Sequence, residues 1–134
     1  MKVQCLEEDW YDYAISVREN VVLNDLYATG PISFQMEQVE GTEEVVYTFY
    51  QPVNESVEME ENSGHFFFQQ TLEYKDGLLV RCVDFDDIED IYQILEQAAQ
   101  QYGVTLQLPY LHIYLNVYGE GYFDIYAPIK EQNA

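Results

Sequence analysis

Pro109-Tyr110-Leu111-His112-Ile113-Tyr114-Leu115-Asn116-Val117-Tyr118-Gly119-Glu120-Gly121-Tyr122-Phe123-Asp124-Ile125-Tyr126-Ala127-Pro128 is the stretch that decides the fold class. Apolar and polar residues alternate with the two-residue period of a strand whose faces differ in environment. Leu111, Ile113, Leu115 and Val117 share one face, and His112, Tyr114, Asn116 and Tyr118 the other. Gly119-Glu120-Gly121 turns the chain into a last strand, Tyr122 to Ala127, in which Phe123 and Ile125 alternate against Tyr122, Asp124 and Tyr126.

The stretch before it has the other period. Ile88, Ile91, Tyr92, Leu95, Ala98, Ala99 and Tyr102 form one apolar stripe of a helix. Asp84 and Asp86 offer capping oxygens, Asp87, Glu89 and Asp90 suit the positive helix start, and Gly103 supplies the stop. Strands at Leu78 to Phe85 and His65 to Tyr74 precede it, joined at Lys75-Asp76-Gly77, where Asp-Gly favours a hairpin turn.

Towards the N-terminus the pattern predicts a short helix over residues 5–18, with Leu6, Trp10, Tyr13, Ala14 and Val17 at helical spacing. Asn20 to Ala28 reads as a strand, Gly30-Pro31 as a break, and Ile32 to Met36 and Glu44 to Tyr50 as two further strands. Residues 54–64 read as a polar loop. Tyr50-Gln51-Pro52-Val53 and Tyr126-Ala127-Pro128-Ile129 close their strands alike; a four-residue match also arises by coincidence, but if the two are equivalent the chain is one domain spanning 1–134 with a degenerate first half, 1–53, and a second half, 65–130. The expected architecture is α+β: a twisted, mainly antiparallel sheet of about six to eight strands with one long and one short helix packed on one face.

The 134 residues carry 25 acidic and 5 basic side chains, a formal net charge of -20. That balance disfavours direct binding of nucleic acid and of anionic membranes, since phosphate contacts require Lys and Arg. It suits a basic protein partner, although acidity also serves solubility alone. Cys5 and Cys82 are too few for a disulfide framework and read as buried thiols. No leader-like or membrane-spanning apolar run is present, so a cytoplasmic location is expected. Neither a nucleophile-elbow serine, a His/Cys metal-ligand spacing nor a phosphate-binding glycine loop occurs, so neither an enzyme nor a cofactor is expected.

Leu79 to Lys130, with Arg81, the capped helix, Leu108-Pro109-Tyr110-Leu111-His112-Ile113-Tyr114-Leu115-Asn116 and Asp124-Ile125-Tyr126-Ala127-Pro128-Ile129, resembles the second half of GyrI-like effector-binding domains. Asn20-Val21-Val22, Gly30-Pro31 and Phe49-Tyr50-Gln51-Pro52-Val53 also look like an uncharacterised family of small bacterial proteins encoded near LXG-type polymorphic toxins. The first resemblance implies a small-molecule-binding sheet with a helix between the first two strands of each half. Ala28-Thr29-Gly30-Pro31 leaves no room for that helix, so the first-half helix reads as missing, its place taken by the helix of residues 5–18. The family's pocket glutamate falls on His112, and a neutral imidazole attracts cations weakly.

Two groups of residues follow as sites. His112, Tyr114, Asn116, Tyr118, Tyr122, Asp124 and Tyr126 are expected to share one sheet face, with His112 near Asp124 or Tyr126, and could hold a small amphipathic ligand; an ordinary sheet face would look the same. Glu55, Glu58, Glu60 and Glu61 with Asp86, Asp87, Glu89 and Asp90 could present a negative patch to a basic partner, though a solvated loop and a plain helix start also explain them. The leading expectation is a non-catalytic, acidic protein-binding protein, an immunity or accessory protein of a bacterial toxin system. The alternatives are a GyrI-like effector sensor and an acidic DNA-mimic inhibitor. Oligomeric state is not legible.

Overall fold

The computed structural model describes residues 1–55 and 76–130. The chain divides into two compact units, Met1–Leu72 and Glu73–Ala134. In the first, β1 (Lys2–Leu6) leads through a 3-10 turn into α1 (Trp10–Leu23), followed by β2 (Ser33–Gln38) and β3 (Glu44–Tyr50). In the second, β4 (Gly77–Cys82) leads through a 3-10 turn into α2 (Ile88–Tyr102), followed by β5 (Leu111–Val117) and β6 (Glu120–Pro128). Over the described residues both units are therefore β-α-β-β, and in both the last of these strands lies between the other two: β3 pairs with β1 and β2, and β6 with β4 and β5, all antiparallel. The α+β class holds.

One offset carries Asp9 onto Asp87 at the helix N-cap, the buried Val17 and Val21 onto Leu95 and Ala99, and Pro31 onto Pro109. The same offset carries the isolated bridge residue Ala28 onto Leu106, and their partners are Val53 and Ile129 of the two Tyr-x-Pro-aliphatic ends. Helix termination repeats as well. Leu26 N–H donates to Val21 O and Asp25 N–H to Val22 O; Val104 N–H donates to Ala99 O and Gly103 N–H to Gln100 O. This is one helix-ending motif used twice, with the left-handed residue Asp25 (φ 57°) in one unit and Gly103 (φ 68°) in the other.

Three N-terminal expectations are corrected. The helix spans Trp10–Leu23, not 5–18; Lys2–Leu6 is a strand; and Asn20 to Ala28 holds the helix end and a turn instead of a strand. Ala14, Val17 and Val21 bury one stripe of α1, and that burial outweighs the β-preference of Val21-Val22. With β1 in front of it, α1 lies between the first two strands, so the first-half helix is not missing. Nor is one helix long and one short: they have 14 and 15 residues. The expected strand over His65 to Tyr74 lies outside the described residues, as does the loop over 54–64 beyond residue 55.

Unit 1 packs an aromatic core. Phe34 lies with its ring centroid 5.3 Å from Tyr47, 5.6 Å from Phe49 and 5.6 Å from Trp10 of α1. Tyr47 is fully buried, and its hydroxyl donates to Glu7 O at 2.7 Å, which removes the cost of an unpaired phenol. In unit 2, Ile88, Leu95 and Ala99 of α2 and Cys82, Phe123, Ile125 and Ala127 of the strands are buried. Each such side chain contributes about 1.5–3 kcal/mol for the larger aliphatics and Phe.

Candidate functional site

The β5–β6 turn decides where the site residues point. Val117 pairs with Glu120, so only Tyr118 and Gly119 form the turn, both at positive φ (52° and 83°). A three-residue turn over 119–121 would set even-numbered residues opposite even-numbered ones. The two-residue turn sets His112 opposite Ile125 and Tyr114 opposite Phe123, while Leu111, Ile113 and Leu115 face Tyr126, Asp124 and Tyr122. A one-residue change of register moves every side chain to the other face. The expected single group is thus divided: His112 and Tyr114 lie on the face of Phe123 and Ile125, and Tyr122, Asp124 and Tyr126 lie on the opposite one. His112 does not meet Asp124 or Tyr126 across the strands.

On the inner face, His112 is only 1% exposed. Tyr92 of α2 reaches it, with Tyr92 Oη and His112 Nε2 2.5 Å apart. Tyr110 is buried beside them, its ring 5.5 Å from that of Tyr92, and its hydroxyl donates to Glu96 Oε1 at 2.7 Å. Burial first, and the Glu96 carboxylate second, push the Tyr110 phenol well above its ordinary value. The repeat offset places Ala14, Arg18, Ile32 and Phe34 of unit 1 where Tyr92, Glu96, Tyr110 and His112 stand in unit 2. Tyr92, Tyr110 and His112 therefore stand where the other unit buries Ala14, Ile32 and Phe34, while Glu96 matches the exposed Arg18. Tyr92, Glu96 and Tyr110 are not among the site residues expected from sequence, where Tyr92 reads only as part of the apolar stripe of the helix; the i, i+4 spacing of Tyr92 and Glu96 on α2 was the available signal.

On the outer face, Arg81 Nε donates to Asp124 Oδ1 at 2.9 Å, a cross-strand pair set by the Arg81–Asp124 register. The Tyr126 ring lies across Gly77, so close that a Cβ there would stand 2.5 Å from it. Tyr122 donates to Glu120 Oε2 at 2.6 Å, and this bond raises its phenol above the ordinary value. Near the turn, Asn116 is exposed and its Oδ1 accepts from Gly119 N–H at 3.1 Å; Tyr118 is wholly exposed.

Of the acidic group, Asp86, Asp87, Glu89 and Asp90 are exposed at the start of α2, and Asp84 Oδ1 accepts from Asp86 N–H at 3.0 Å. Glu55 is exposed; Glu58, Glu60 and Glu61 lie outside the described residues. A shallow, open concavity runs along α2, lined by Glu89, Tyr92, Gln93, Glu96, Gln97 and Gln100. Cys5 and Cys82 are free and buried, and burial raises both thiols. Among the described residues, no helix is long and apolar enough to cross a membrane, and no three His, Cys, Asp or Glu side chains converge as a metal site.

Comparison with known families places one model on the chain: the family described as Domain of unknown function (DUF5085) matches residues 3–133. No curated protein matches it.

Proposed function

Because the chain belongs to that family over nearly its whole length, we propose a function from its own chemistry: non-catalytic binding of a basic protein, as an immunity or accessory protein of a bacterial toxin system. The observation that carries this reading is the charge imbalance. Five basic side chains cannot neutralise 25 acidic ones, whatever the pairing, and one of the five, Arg81, is already engaged with Asp124. The surplus creates a negative field that attracts a basic partner from a distance and repels polyanions. The four exposed carboxylates at the start of α2 add to that field where it can be reached.

The test is to read the genes beside this one for a basic toxin domain and, with any found, to titrate the purified chain calorimetrically at low and at high salt; a neighbourhood that encodes none removes the toxin-system reading. Binding that weakens steeply with salt, and weakens further in D86K/D87K/E89K/D90K, is expected. Binding insensitive to both changes, or none at low salt, removes this reading.

Effector sensing is the second reading, favoured by the β-α-β-β order of both units. His112 contributes little to it, since the imidazole is buried under α2. A ligand would instead meet Tyr122, Asp124 and Tyr126 on the other face, and a Tyr126→Ala variant would then lose ligand-induced thermal stabilisation.

A further inference from the structure

We propose that the β5–β6 turn, with Tyr118 at its centre, is the anchor of the partner-binding surface, and that its occupant is a protein presenting an apolar pocket ringed by Lys and Arg. This inference rests on the partner-binding reading and gives it a place. Tyr118 is wholly exposed, and Val117 beside it is also exposed. Its backbone is left-handed (φ 52°), a region that Asn or Gly occupies at less cost than an aromatic residue. The equivalent turn of unit 1, between β2 and β3, holds no aromatic residue and takes its positive φ at Gly41. Folding thus needs no tyrosine at such a turn, and the residue there carries a conformational cost.

The turn is also built to hold its shape. The Asn116 side chain accepts from Gly119 N–H, and Tyr122 is tied to Glu120. A rigid aromatic side chain with few torsions loses little entropy when a partner's pocket closes on it, which is why Tyr recurs among the residues that dominate interfaces.

Register places the acidic helix start at the same end of unit 2. Cys82, the last residue of β4, pairs with Phe123, so the chain leaves the sheet about 13 Å of strand from the turn. Phe85, in the 3-10 turn that follows, sets its ring 5.1 Å from Phe123. Asp84, Asp86 and Asp87 therefore flank the same end as Glu120, with the exposed Val83 between. An interface of ordinary size, about 800 Å² on each partner, spans this distance. An apolar centre with a carboxylate rim on one side calls for an apolar pocket with a basic rim on the other.

The experiment uses the full chain and a basic toxin domain encoded in its gene neighbourhood, and measures Kd and Tm for wild type, Tyr118→Asn, Tyr118→Phe and Tyr102→Ala, the last an exposed tyrosine at the far end of α2. Tyr118→Asn is expected to raise Tm by roughly 2–5 °C, because the turn relaxes, while weakening binding more than about tenfold. Tyr118→Phe is expected to stay within about threefold of wild type, since the ring supplies most of the contact, and Tyr102→Ala to bind as wild type. Undiminished binding by Tyr118→Asn, alongside salt-sensitive binding by wild type, overturns the anchor and leaves the partner-binding reading standing. A lowered Tm in Tyr118→Asn also overturns it, because the turn would then favour tyrosine for folding. If wild type binds no basic partner at low salt, the partner-binding reading fails and the anchor falls with it.

Discussion

Tyr92 Oη and His112 Nε2 meet 2.5 Å apart beneath α2, at positions that the internal repeat matches to Ala14 and Phe34 of the first unit. The same packing problem is solved once with apolar side chains and once with a hydrogen-bonded pair. A buried polar group left without its partner costs more than the pair contributes. His112→Phe, the residue used in the first unit, is therefore expected to lower stability by about 1–3 kcal/mol in urea melts. Adding Tyr92→Phe is expected to recover part of the loss. A double variant less stable than the single one by the full effect of Tyr92→Phe alone would show that the two side chains are not coupled.

Tyr110 makes stability sensitive to alkali. Its phenol is raised in the folded protein by burial and by Glu96, so the folded state holds the proton more tightly than the unfolded chain. Its contribution is complete below the ordinary tyrosine value of about 10 and is lost as pH rises through the folded value. Thermal melts from neutral pH upward are expected to show a falling Tm beyond about pH 10, with a shallower fall in Tyr110→Phe. An unchanged slope in that variant would remove Tyr110 as a cause.

Gly77 is required by what lies across it. An added Cβ would stand 2.5 Å from the Tyr126 ring and 2.6 Å from the Ala127 carbonyl oxygen, and the latter belongs to backbone that cannot turn away. Gly77→Ala is expected to cost about 1–3 kcal/mol, measured by chemical denaturation, despite the ordinary gain from reducing unfolded-chain freedom. A neutral effect would mean that β4 and β6 separate easily here.

Asp25 and Gly103 end the two helices in the same left-handed conformation. Asp25→Gly is expected to stabilise by up to about 1 kcal/mol, and Gly103→Asp to destabilise by a similar amount. Matching changes of opposite sign in Tm are the readout; a destabilising Asp25→Gly would show that the aspartate is held there by more than its backbone.

Much of the second unit was legible in the sequence. The stripe from Ile88 to Tyr102, the acidic residues before it, Gly103 after it and the alternation of Leu111 to Val117 are local patterns, and α2, β5 and β6 follow them. The twin Tyr-x-Pro-aliphatic ends are a local pattern of the same kind, each closing a strand by short-range chemistry, but four residues alone do not separate a repeat from coincidence. In the first unit the local signal misled, because Asn20 to Leu23 favours a strand by composition but is held in α1 by burial of Val17 and Val21, which depends on residues distant in sequence.

Charge, fold class and the residues of α2, β5 and β6 were determined by the sequence itself, since composition and periodicity act within a few residues. Which face those residues share was decided only by the tertiary structure. The turn between β5 and β6 could close with two residues or three, and the difference is one residue of register. Closing it on Tyr118 and Gly119 sent His112 into the core beside Tyr92 and left Tyr122, Asp124 and Tyr126 on the opposite face. Pairing across strands is a long-range choice, settled by which side chains the helix covers, and no local pattern records it.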